Sequence, residues 1–109
     1  MTGIGGCRSS GAFTADTQIV KGQGKVISIH GMALGAVSAA VHLYDVASSS
    51  DAAASNCIGI LAIEKGASGD YRYAEADLHG VLFKVGLYAD VTHGTGTTTQ
   101  FTVEYNWGI

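Results

Sequence analysis

The chain of 109 residues is long enough for one domain with a modest core and too short for two. Its formal net charge of −3 argues against a nucleic-acid-binding module, and no apolar run approaches the ~20 residues that span a bilayer. Charged residues make up only 14% of the chain while Gly, Ala, Ser and Thr abound, so part of the surface is expected to face other protein.

The opening Met1-Thr2-Gly3-Ile4-Gly5-Gly6 lacks the charged and apolar regions of a signal peptide. Its glycines do not make a phosphate loop either, because no strand precedes them and no Lys-Ser or Lys-Thr follows. Residues 1–15 therefore read as a flexible arm, ahead of one domain over residues 16–109. Lys21-Gly22-Gln23-Gly24 is a turn, and the Val and Ile content of Lys25–His30 predicts a strand that ends at the glycine breaks Gly31 and Gly35. Ala39–Asp45 predicts another strand. Ala47–Ser55 is a small-sided surface loop in which Ser50 or Asp51 could cap one helical turn.

Cys57–Ile63 is a continuous apolar run, expected as a strand buried on both faces and closed by a turn over Glu64–Asp70. Tyr71–Leu78 fits a strand or a short helix. In Val81–Val91 the residues Val81, Phe83, Val85, Leu87, Ala89 and Val91 share one face, which predicts a single strand with a possible bulge at Gly86. Thr99, Phe101, Val103 and Tyr105 alternate with polar neighbours in a last strand. His93–Thr97 then reads as a hairpin loop, with the two flanking strands paired antiparallel. Short strands at ~8–12-residue spacing predict an all-β, single-domain antiparallel β-sandwich. The chain has no proline and few lysines to blunt its sheet edges, so those edges are expected to be covered by a partner chain.

Catalytic and metal chemistry finds little footing. His30, His42, His79 and His93 show no paired spacing with each other or with cysteine, and the cupin-like or hydrolytic alternatives would want clustered His and Glu. His30 and His42 read as satisfied strand residues and His79 as part of a turn. Gly66-Ala67-Ser68-Gly69 lacks the Gly-x-Ser-x-Gly spacing of a nucleophile elbow. Cys7 and Cys57 read as free thiols. No catalytic residue, metal ligand or cofactor is expected. Tyr71, Tyr73, Tyr88, Tyr105 and Trp107 could instead serve as core or interface anchors, or stack on sugar rings.

Ile27-Ser28-Ile29-His30-Gly31, Val41-His42-Leu43-Tyr44-Asp45, Gly80-Val81-Leu82-Phe83 and Gly86-Leu87-Tyr88, closed by an apolar strand with Tyr105, resemble small virion proteins of tailed bacteriophages. The resemblance covers residues 25–109 and implies a jelly-roll-like sandwich without catalytic residues. It also implies a decoration, or cement, protein made in the host cytoplasm and bound to the outer face of the major capsid protein lattice, as a homotrimer or other homo-oligomer. The alternative is a receptor- or glycan-binding knob of a fibre or tail, with the exposed tyrosines and the loop at 47–56 as its contacts. The expected partner interface comprises Ile4, Phe13, Tyr71, Tyr73, Trp107 and Ile109. Trp107 could equally fold back on its own sandwich.

Overall fold

In the computed structural model, which describes residues 7–36, 38–67, 69–94 and 98–108, eight strands form two four-stranded sheets. They are β1 (Arg8–Ser9), β2 (Thr17–Lys21), β3 (Gly24–Leu34), β4 (Ala39–Tyr44), β5 (Cys57–Ile63), β6 (Tyr71–Phe83), β7 (Gly86–His93) and β8 (Thr98–Trp107). One sheet has the order β1-β8-β3-β6 and the other β2-β7-β4-β5, and every pair is antiparallel. The expected all-β sandwich is therefore what forms, with two single turns of 3₁₀ helix and no α-helix among the described residues.

The order has a simple generator. Strands from the two halves of the chain pair as a ribbon, β4 with β5, β3 with β6, β2 with β7 and β1 with β8. Rolling that ribbon up adds the pairs β3 with β8 and β4 with β7. This is the jelly-roll arrangement, in which successive strands along most of the chain alternate between the two sheets. The interior is filled by Phe83, Phe101, Ile29, Leu43 and Leu87, all fully buried, so the space between the sheets is packed apolar side chain.

Several elements depart from the sequence reading. The alternation over Val81–Val91 does not belong to one strand: the chain turns at Lys84 and Val85 and passes from β6 in one sheet to β7 in the other. Phe83 and Leu87 point into the same core from opposite sheets, while Val85 in the turn between them is 52% exposed and does not share their face. Likewise β7 and β8 do not form a hairpin, because they lie in different sheets; residues 95–97 of the expected loop, like Ser68 in the turn after β5, lie outside the described residues. β5 is an edge strand with Leu61 and Ile63 buried and Ile60 exposed, not a strand covered on both faces. The ambiguous Tyr71–Leu78 is strand.

Gly31 does not end β3. An added Cβ there would stand 2.7 Å from the Phe101 ring, so glycine lets the strand run on beneath that phenyl group. The arm behaves similarly at its inner end. β1 pairs with β8, and Phe13 exchanges two backbone hydrogen bonds of 2.9 Å with Phe101, which tie the described part of residues 1–15 to the sheet.

Candidate binding face

The outer face of the β1-β8-β3-β6 sheet owes its composition to a register shift. Val26 points into the core, and strict alternation would send Ser28 and His30 inward after it. Between Val26 and Ser28 the register shifts against both partners, and against β8 Ile27 is an extra residue that inverts the phase. Ile29, Gly31 and Ala33 then face the core, while Ser28, His30, Met32 and Leu34 face out. On β6 the same irregularity takes up Leu78, His79 and Gly80, with positive φ at His79 (53°) and Gly80 (77°).

The register then lays out rows across the sheet. Leu34 lies between Tyr71 and Thr98, Met32 between Tyr73 and Gln100, His30 between Glu75 and Thr102, and Ser28 between Asp77 and Glu104. One end of the face is thus tyrosine and aliphatic, and the other is acidic, with His30 between Glu75 and Glu104 and His79 3.5 Å from Asp77. Tyr71 and Tyr73 are 60% and 75% exposed. A shallow groove of about 410 Å³ runs along His30, Gly31, Tyr73, Ala74 and Glu75.

A hydrogen-bonded network occupies the acidic end. Glu104 Oε1 accepts from Ser28 Oγ at 2.6 Å and lies 2.6 Å from His30 Nε2, while His30 Nδ1 lies 3.5 Å from Glu75 Oε2. Ser28 Oγ is also 3.4 Å from His30 Nε2, which outlines a serine–histidine–carboxylate grouping. The proton positions oppose that use. A carboxylate oxygen 2.6 Å from Nε2 requires that nitrogen to carry hydrogen, and the Ser28 proton is already given to Glu104. His30 is therefore not placed as a base for Ser28. The network ties β6, β3 and β8 together and fixes polar groups on the face.

The outer face of the β2-β7-β4-β5 sheet is covered by its own chain only around Tyr88, while Ile60 on β5 stays 55% exposed. Tyr88 is buried, its phenol held between Asp16 and Ser49 of the loop after β4, and burial followed by the Asp16 charge raises its pKa. Tyr44 stacks on His42 at 6.3 Å and is raised first by burial, then by Cys57 and Asp90. Asp90 is raised by burial and by Asp16 beside it, against an opposing pull from His42. Among the described residues no group of three His, Cys, Asp or Glu side chains is placed to hold a metal ion.

The expected interface residues scatter. Tyr71 and Tyr73 share β6 and the open face, but Phe13 is buried against Phe101 with ring centroids 6.3 Å apart, a core residue because β8 draws the arm onto the sheet. Trp107 lies opposite Gly24, at the other end of β3 from Tyr71, which over 11 residues of strand is about 30 Å away. It is 49% exposed, donates from Nε1 to Lys21 O at 3.2 Å and carries the Arg8 guanidinium 5.4 Å above its ring. Trp107 thus packs back in part on its own sandwich and keeps about half of its surface exposed. Ile4 and Ile109 lie outside the described residues.

The Ser28–His30–Glu104–Glu75 network is the part of the face that the sequence reading missed. Its members come from three strands, and only the register sets Glu104 beside Ser28 and Glu75 beside His30. Comparison of the chain with protein-family models, with curated proteins and with solved structures gave no match.

Proposed function

We propose that the chain is a non-enzymatic structural protein of a bacteriophage particle, a decoration subunit that lays the outer face of its β1-β8-β3-β6 sheet on the major capsid protein lattice. The observation that carries this reading is the exposed cluster of Tyr71 and Tyr73 beside Met32 and Leu34, on a broad sheet face that the described residues leave open. Tyrosines on a rigid sheet give large contact area at small entropic cost, the composition favoured at protein interfaces. The jelly-roll order supports the reading only as analogy, since that fold serves viral capsid proteins, lectins and cupins alike. An interior filled with apolar side chains fits the first two better than a cupin with a site inside its barrel.

Binding only to the assembled shell would stabilise it by linkage, and repetition over the lattice would sum many weak contacts. Cosedimentation of the protein with empty expanded shells that lack it tests this directly. Saturable binding with a raised disruption temperature, lost in a Tyr71→Ser/Tyr73→Ser variant, is the expected result. Absence of binding overturns it.

A second reading, a glycan-binding knob, draws on the groove in which Tyr73 stands beside Glu75 and His30, an aromatic plane next to hydrogen-bonding groups. It predicts binding to host saccharides by the isolated protein, measurable on a glycan array without shells.

A further inference from the structure

We infer that two copies of this chain pair through β6, antiparallel about a two-fold axis at Ala74, to give one continuous eight-stranded sheet. The inference concerns the edge of the sheet and holds whatever the face binds.

β6 is the terminal strand of its sheet and, with 13 residues, the longest strand of the fold. Its outer edge carries backbone N–H and C=O groups that no other strand among the described residues engages, the arrangement that invites strand addition. The devices that blunt such edges are sparse: the chain has no proline, β6 has no lysine, and its one inward charge, Arg72, is turned to the end of the sandwich, where Nη2 donates to Gly35 O at 2.7 Å. The irregularity at Leu78–Gly80 ends the straight run, which therefore extends from Tyr71 to Asp77.

Charge selects the register within that run. A two-fold antiparallel pair must set outward residues against outward ones, so the axis passes through a residue. An axis at Glu75 sets Glu75 against the partner's Glu75, one at Ala76 sets Glu75 against the partner's Asp77, and one at Arg72 opposes two guanidinium groups. An axis at Tyr73 leaves Asp77 paired beyond the start of the strand. About Ala74 the whole run is used: Tyr73 meets the partner's Glu75, Tyr71 meets the partner's Asp77, and Arg72 meets the partner's Ala76. Each carboxylate then has a phenol as cross-strand neighbour, and no like charges are opposed. The four tyrosines gather at the centre of a face twice as wide, and the assembly is an isologous dimer, one of the homo-oligomers that the phage resemblance left open.

The test is sedimentation equilibrium of the purified full-length chain over a concentration series, without shells or ligands, with circular dichroism to check each variant's fold. The wild type is expected to show a reversible monomer–dimer equilibrium. Tyr73→Glu places a carboxylate opposite the partner's Glu75 on both sides of the axis and is expected to weaken the dimer by about ten-fold or more. Tyr73→Glu combined with Glu75→Tyr restores both carboxylate–phenol pairs only if the axis is at Ala74, and it should return the dissociation constant to within about three-fold of wild type. A wild type that is monomeric throughout, a Tyr73→Glu variant as dimeric as wild type, or a double variant that fails to recover would each overturn the proposal.

Discussion

Asp45 holds Val85 across the mouth of the sandwich: its Oδ1 accepts the Val85 amide at 2.8 Å, and the same carboxylate accepts from Lys84 N at 2.9 Å and Gly86 N at 3.3 Å. The end of β4 thereby supplies the anion for the turn that carries the chain from one sheet to the other. Gly86 lets the strands approach, since a Cβ there would stand 2.5 Å from Val46 O. Asp45→Ala leaves three turn amides without their acceptor and is expected to cost about 2–3 kcal/mol in urea denaturation. Asp45→Asn, which keeps one acceptor oxygen but loses the charge, should cost about half as much. Equal stability of all three proteins would show that water serves the turn as well as the carboxylate does.

Gly31 lies under the Phe101 ring, with Ile63 Cδ1 3.0 Å from where a Cβ would be. Gly31→Ala is expected to destabilise by about 2 kcal/mol through overpacking, although alanine is otherwise the better strand residue. Thermal unfolding reads this, and the combination with Phe101→Leu should cost less than the sum of the two single changes.

Thr99 is 2% exposed, and its hydroxyl has no hydrogen-bond partner among the described residues. Thr99→Val replaces that hydroxyl by a methyl group of the same shape. It is expected to raise stability by about 1 kcal/mol, which a shift of the urea midpoint at unchanged m-value would establish.

Asp90 gives a pH dependence of definite sign. Burial, and then Asp16, raise its pKa in the folded state, so folding favours the protonated acid. Its contribution is fully present below the unfolded carboxyl value of about 4 and is lost as the pH rises through the folded value. Asp90→Asn should therefore match the wild type in melting temperature at low pH and exceed it increasingly as the pH rises toward neutrality. A constant difference across the range would assign the effect to shape and not to charge.

A strand is legible in this sequence where its own residues mark it. Thr99, Phe101 and Val103 alternate with polar neighbours and are buried in that rhythm, and the Val and Ile of β3 marked its first half correctly. Legibility ends where a strand's role is set by a neighbour. Gly31 reads as a break until Phe101 is known to cover it, Cys57–Ile63 reads as doubly buried until its edge position is known, and Val81–Val91 reads as one strand because both halves feed one core. The open face was half legible: Tyr71 and Tyr73 could be named from aromatic character, whereas Phe13, named on the same ground, belongs to the core.

By itself, then, the sequence determined that this chain is a single all-β sandwich with few charges and unblunted edges, because side-chain period, turn residues and composition are local quantities. The jelly-roll order, the bulge at Ile27 that turns Ser28 and His30 outward, and the meeting of Glu104 and Glu75 on His30 were decided by the tertiary structure alone. Those depend on register between strands far apart in the chain, and a shift of one residue in that register exchanges core for surface along an entire strand.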